Sequence, residues 1–339
     1  MIATMRHEKL PSLIRCDQLP RSGPSRHQYP HAVSRRESLV TGLRAAAALA
    51  ACLMVLGLES AQQLAAKPVT VDDLLAGAPA ADWRTPDPDD LLYMQLPHGR
   101  VVIELAARVV PQHVANIKAL ARAHYFDGLA IIRVQDNYGV QWDDESHKRP
   151  LPPSVRPSVE FTADARAAAR FEPLPDRDLY ASQVGFLDGF PAARDPRTHT
   201  VWLAHCYGMV GAGRDDPAES TGAEMYAVIG NAPRQLDRNV ALVGRVLKGM
   251  ELLSSLPRGS GEMGYYLPSE PPVPIISMRV ASDVPEAERT PVEVLRTSSA
   301  TFRAVIDQRR KRDEPWYKHS PGAIDLCNVP LPVRSPGAH

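Results

Sequence analysis

The chain has 339 residues, no formal net charge, and 44% hydrophobic and 23% charged residues. That is enough apolar material to bury the core of one large or two small domains, and the balanced charge argues against a nucleic-acid footprint. The 32 prolines exceed the ordinary share of about 5% and put much of the chain into loops and extended segments.

Residues 1–36 are basic and proline-rich, and an apolar run over 45–58 follows Arg44. The run is shorter than the about 20 residues that span a bilayer comfortably. With the small residues near Leu64-Ala65-Ala66, residues 1–66 read as an export leader, the alternative being an uncleaved membrane anchor. The expected location is a periplasm or cell envelope. Ser34-Arg35-Arg36-Glu37-Ser38-Leu39 is similar to a twin-arginine signal, so the Sec and twin-arginine routes both stay open. Leu49-Ala50-Ala51-Cys52 matches a lipoprotein box by its letters, although the apolar run continues past Cys52.

Residues 67–90 read as a linker rich in Asp, Pro and Ala. Two strand-like runs, 91–96 and 101–105, flank a turn at Pro97-His98-Gly99-Arg100 and predict a hairpin. A helix follows, with Pro111 in its first turn and Val114, Ile117 and Ala121 at helical spacing. Residues 129–135 predict a buried strand holding one charge, Arg133. Trp142-Asp143-Asp144 closes this half. Residues 145–200 are proline-rich and poorly periodic, an irregular insertion with short strands expected at Val159-Glu160-Phe161 and Val184-Gly185-Phe186. Strands are expected over 201–212, 225–230 and 240–246, a short helix over 248–256 and a last strand over 275–280. The sum is mainly β, a barrel capped by two helices rather than a layered βαβ sheet.

The tail, 282–339, reads as helical over 291–312, with Val294, Leu295, Phe302, Val305 and Ile306 apolar, and proline-rich beyond. Arg309-Arg310-Lys311-Arg312 is either a solvated helix end or a contact for lipid or an acidic partner. Of the four cysteines, Cys16 and Cys52 lie in the leader. Cys206 and Cys327 are too far apart for a metal motif. They are either bridged, as an oxidising compartment permits, or two buried thiols. Histidines 98, 113, 124, 147, 199 and 205 lack ligand spacing, so no metal is expected. Gly211-Ala212-Gly213 lacks the third glycine and the βαβ setting of a dinucleotide loop. Ser182 and Ser220 lack a nucleophile elbow.

Two distant stretches carry a resemblance. The first is Tyr125-Phe126-Asp127-Gly128, Ile132-Arg133-Val134 and Tyr138-Gly139-Val140-Gln141. The second is Gly222-Ala223-Glu224-Met225-Tyr226, Gln235-Leu236-Asp237 and Val243-Gly244-Arg245-Val246. Their order and spacing resemble the cyclophilin-type peptidyl-prolyl isomerases over about residues 90–281. The resemblance implies a closed β-barrel within 91–281, isomerisation of Xaa-Pro bonds in protein substrates, no cofactor, and proline-containing segments as partners. A monomer is expected, with membrane contact only through an uncleaved leader. It assigns Arg133 as the catalytic cation and Gln141 as its orienting partner. Tyr138, Glu224, Met225, Tyr226 and Leu236 fall on substrate-pocket positions. From the residues alone, Arg133 is either catalytic or a buried structural arginine paired with Glu104, Asp143 or Asp144.

The pattern also departs from the family. Ile132 stands for a histidine, Gly139 for a methionine, Gln235 for a tryptophan, Val240 for a histidine and Glu224 for a glutamine. Gln235 occupies the position linked to cyclosporin binding, so weak affinity for that drug is expected. The rival reading is a catalytically weak module that binds proline-containing segments or acts as a chaperone.

Overall fold

The computed structural model describes residues 69–337, apart from residue 147 and residues 167–169. The leader, its two export motifs, Cys16 and Cys52 lie outside the described residues. The segment expected as a linker is built instead. It opens with helix α1 (Val71–Ala76), started by a reciprocal cap in which Thr70 and Asp73 each bond the other's backbone N–H. Strand β1 (Trp83–Arg84) follows.

The expected hairpin is β2 (Leu91–Leu96) and β3 (Gly99–Leu105), paired antiparallel. Helix α2 (Pro111–Arg122) carries its proline at the N-terminus and buries Val114, Ile117 and Ala121. Then come β4 (Ala130–Gln135) and β5 (Gly139–Asp143). The insertion holds β6 (Ala163–Asp164), β7 (Phe171–Leu174), β8 (Gln183–Leu187) and β9 (Phe190–Asp195), with β10 (Thr200–Leu203) just after. The chain continues through β11 (Met209–Ala212), β12 (Met225–Val228), β13 (Ala241–Lys248), helix α3 (Met250–Ser254), β14 (Val273–Pro274) and β15 (Ser277–Val280). The tail adds β16 (Glu293–Leu295), α4 (Ala300–Lys311) and β17 (Val333–Arg334).

Nine strands form one antiparallel sheet in the order β14-β4-β5-β12-β11-β13-β3-β2-β15. Its two edge strands are consecutive pieces of one segment. Val273 pairs with Ile131 at one end and Ser277 with Gln95 at the other. That segment rolls the sheet into the barrel that the resemblance implies. Helix α2 lies against β15 and α3 against β3.

The hairpin shows why its sequence does not alternate. Leu92, Met94, Val101 and Ile103 fill the barrel interior. Leu91, Tyr93 and Val102 point the other way, into a second cluster with Val292 and Val294 of the tail. A strand covered on both faces reads as a continuous apolar run, and burying each such side chain is worth roughly 1.5–3 kcal/mol.

The insertion departs from the expectation of irregular structure. Strands β6 to β10 form a five-stranded antiparallel sheet, ordered β6-β10-β9-β8-β7. Val184-Gly185-Phe186 lies in β8, but Val159-Glu160-Phe161 is not a strand. Its Glu160 serves the start of α2, accepting from the backbone N–H of Gln112 at 3.0 Å and of His113 at 2.8 Å, where a carboxylate complements the helix dipole. The single strand expected over 201–212 splits: β10 joins the insertion sheet and β11 the barrel.

In the tail, Val294 and Leu295 belong to β16, not to the helix. The helix begins later, where the Ser299 hydroxyl accepts from the Phe302 N–H at 3.0 Å. Strand β16 lies between β1 and β17 in a small sheet, so the former linker and the tail are one unit. Phe302 meets Phe186 edge-on, with ring centroids 4.9 Å apart, seating α4 on the insertion sheet. From the basic run, Arg310 pairs with Asp176 at 2.6 Å. A disulfide joins Cys206 to Cys327, with Cα atoms 4.9 Å apart, and clips the tail to the turn after β10. Among the described residues no helix is long and apolar enough to cross a membrane.

Candidate active site

One transverse row of the barrel sheet carries the site. Arg133 pairs across strands with Gln141, Gln141 with Tyr226, and Tyr226 with Gly211. Residues in register on neighbouring strands share a face. Their sequence neighbours Val134, Val140, Trp142 and Met225 are buried in the barrel interior, so the row faces outward. A β-bulge between Ile131 and Arg133 keeps Ile131 and Val134 inside while Arg133 points out. Bulges re-aim side chains in this way beside functional sites.

Three neutral acceptors hold the Arg133 guanidinium. Nε donates to the Met263 carbonyl at 2.7 Å, Nη1 to Gln141 Oε1 at 3.1 Å, and Nη2 to Gln135 Oε1. The rings of Tyr138 and Tyr265 flank it, each with its centroid 5.3 Å from Cζ, within cation–π range. Gln141 in turn donates from Nε2 to Glu224 Oε1 at 2.7 Å. Met263 presents its carbonyl from a left-handed backbone, φ 54°, a conformation that costs energy for a non-glycine residue. Among the described residues no ion pair joins Arg133 to Glu104 or Asp144. Glu104 lies instead with Arg84 at 2.5 Å and Arg245 at 3.7 Å.

Beside Arg133 is a slot of about 140 Å³, lined in part by Tyr138, Gly139, Glu224, Tyr226, Leu236 and Val240. The glycine run set aside as a dinucleotide loop shapes its floor. A Cβ on Gly211 would overlap the Tyr226 ring, and one on Gly213 the Glu224 carboxylate. Only glycine lets those two side chains lie down on β11 and the residue that follows it.

Behind the slot the Tyr226 hydroxyl meets His205 Nε2 at 2.8 Å, and His205 Nδ1 meets Asp237 Oδ1 at 2.9 Å. Burial pushes the His205 imidazole below its ordinary range, against the opposing pull of Asp237. Burial also pushes Asp237 up, but hydrogen bonds and charge from His205 and Arg234 outweigh it and hold the carboxyl below its usual range. A carboxylate only accepts, so the neutral imidazole donates from Nδ1 and accepts at Nε2. The Tyr226 O–H therefore donates inward. Burial raises that phenol's pKa well above its ordinary value, which keeps the proton on it.

The fold thus brings Arg133, Gln141, Tyr138, Glu224, Tyr226 and Leu236 together. It does not bring Met225, which is fully buried and packs inside the barrel: adjacent strand residues face opposite sides. Gln135, Met263, Tyr265 and His205 join the site without having been assigned to it, and Val240 lines the slot at the position where the family pattern has a histidine. Gln135 was readable, lying two residues from Arg133 on one strand. Met263 and Tyr265 reach Arg133 from 130 and more residues away, with no local signal.

Comparison with known proteins follows this geometry. Residues 91–280 match the family model for cyclophilin type peptidyl-prolyl cis-trans isomerase/CLD. Over 174 residues the chain is 25% identical to a probable peptidyl-prolyl cis-trans isomerase of Brucella suis biovar 1 (strain 1330), covering 51% of this chain and 74% of that one. A protein of the same name from Brucella abortus (strain 2308) is 24% identical with the same coverage. The crystal structure of cyclophilin AquaCyp293 from Hirschia baltica superposes with a TM-score of 0.60 at 26% identity, covering 78% of this chain and 97% of that one. The chain belongs to the cyclophilin-type peptidyl-prolyl cis-trans isomerase family.

Proposed function

We propose that this isomerase turns Xaa-Pro bonds of protein segments in the slot beside Arg133, with Arg133 as catalytic residue and Gln141 as its orienting partner. The supporting observation is the guanidinium itself: a full charge held by neutral acceptors at the lip of a slot. Rotation about the bond costs roughly 18–20 kcal/mol because amide resonance is lost. As the bond twists, the prolyl nitrogen regains a lone pair that a planar, always-charged donor can bond. That bond is stronger in the twisted state than in either planar state, which is the condition for acceleration. Tyr226, Leu236 and Tyr138 would hold the ring while the flank turns. No bond is made or broken, so the step needs no cofactor.

Cis/trans exchange of an Ala-Pro peptide, followed by NMR with the full chain and with Arg133→Ala, tests this. Acceleration by the parent and not by the variant is expected. Equal acceleration by both would overturn the role of Arg133. Binding without acceleration by the parent would favour the rival reading, a recognition module.

We further infer that the protein assists folding in a bacterial periplasm or cell envelope. The basic leader with its apolar run supports this, as does a Cys206–Cys327 disulfide of the kind that persists in oxidising compartments. Fractionation of cells making the full chain should recover it outside the cytoplasm. Recovery with cytoplasmic markers would sink the idea.

A further inference from the structure

The network behind Tyr226 continues into the insertion. Arg234 Nε donates to Asp237 Oδ2 at 2.6 Å, and its two terminal nitrogens donate to both oxygens of Asp178 at 2.9 and 3.1 Å. Asp178 lies between β7 and β8. Its Oδ1 also accepts from the backbone N–H of Tyr180 and Ala181 at 2.8 and 2.9 Å, which fixes the carboxylate to its own loop. The side chains of Asp178, Arg234, Asp237 and His205 are at most 5% exposed. The order from insertion to slot is therefore Asp178, Arg234, Asp237, His205, Tyr226, with a hydrogen bond at every step.

Two slot walls hang on this chain. His205 holds Tyr226 directly. Leu236 sits in the turn whose flanking residues are Arg234 and Asp237, so the bonds that fix those two also fix the backbone carrying Leu236. Arg234 further lies over the Tyr180 ring, its Cζ 5.1 Å from the centroid. Surface ion pairs contribute little, but a buried pair with both partners satisfied loses a great deal when one is removed. Removing one member of the chain therefore leaves its neighbour buried and unsatisfied.

We infer that Asp178, Arg234, Asp237 and His205 are positioning residues that set the Tyr226 and Leu236 walls, so that the insertion takes part in isomerisation without touching substrate. The inference rests on the slot being the isomerisation site. None of the four is a catalytic residue. Their effect falls on how the proline ring is held, alike in the planar and twisted states, and so on KM more than on kcat.

The test is exchange NMR over a series of Ala-Pro peptide concentrations, with the full chain, Asp178→Asn, Tyr226→Phe and the double variant. Asp178→Asn should raise KM by about tenfold with kcat little changed, within the roughly 100-fold that a misplacement of about 1 Å can cost. In the Tyr226→Phe background the same change should cost less, because the route through His205 is cut and the one through the Leu236 turn alone remains. An unchanged KM, or an effect undiminished in that background, would overturn the proposal. Should Asp178→Asn fold poorly, the ¹⁵N shifts of His205 in the parent decide. The Nδ1–H tautomer with a bare Nε2 is expected, and the opposite tautomer or an imidazolium at neutral pH would overturn it. Arg133→Ala, run alongside, separates the two readings. If that variant keeps full acceleration, the site assignment fails, while peptide affinity and the His205 tautomer still judge the chain.

Discussion

Two arginine clusters on the same barrel sheet behave in opposite ways. Arg133 is half-buried and its hydrogen-bond partners are two amide side chains and a backbone carbonyl. Arg245 is buried, its Nε lies 3.7 Å from Glu104, and Glu104 also serves Arg84. Burial lowers the Arg245 pKa to about 10, with Glu104 pulling it up and Arg84 pushing it down. The hydrogen-bond partners of Arg133 are neutral, with the Glu224 carboxylate one step away through Gln141. Arg245 faces a carboxylate directly within the fold. On the proposed reading of the site, the direct partner more than the arginine separates a working charge from a structural one.

The comparison can be broken most severely at Glu104. Glu104→Gln leaves Arg84 and Arg245 without a counter-charge and should cost about 3–5 kcal/mol. Urea unfolding measures this, and peptide exchange below the transition should be unaltered. Arg133→Ala should do the reverse. It should lower kcat/KM by about 100-fold, the effect of removing one well-placed transition-state donor, and cost stability only about 1 kcal/mol. Gln135→Glu gives Arg133 the kind of partner Arg245 has. Exchange should slow by up to about fivefold, since an exposed ion pair is worth at most about 1 kcal/mol. Unaltered exchange in that variant would show that partner charge is not the distinguishing property.

The smallest effect is in pH, where the neutral imidazole of His205 behind Tyr226 sharpens the contrast. His205 is held below its ordinary value of 6.5, so the unfolded chain binds its proton first as pH falls. Its contribution to stability is complete above pH 6.5 and is lost as pH falls toward the folded-state value. From pH 7 to 6 the loss should be at most about 0.7 kcal/mol, and absent in His205→Gln. Asp237, also held below its usual range, adds a further loss only in the more acid range.

Much of the site was legible because it is local in the sheet. Arg133 and Gln141 lie on adjacent paired strands, and Tyr226 pairs with Gln141 on the next, so short motifs record the row. Met225 was misassigned because a motif names neighbours without saying which face each takes. Glu104 was a reasonable partner for Arg133, but the fold sets it beside Arg84 and Arg245 instead. The segments 67–90 and 282–337 looked like linker and tail because their partners are remote: Trp83 pairs with Leu295 and Glu293 with Arg334. Strands as short as two or three residues leave no periodicity to read. Asp178 was hidden for the same reason, as nothing near it in sequence hints at Arg234.

The segment that closes the barrel bears on how the protein is made. Strand β2 pairs with β15 at one edge, and β4 with β14 of the same stretch at the other. A ribosome that has released residues up to 270 has therefore produced a sheet with two bare edges. Such edges invite pairing with another chain. The domain becomes safe from that hazard only after nearly all of it has been synthesised, so this isomerase domain is itself a late and vulnerable folder.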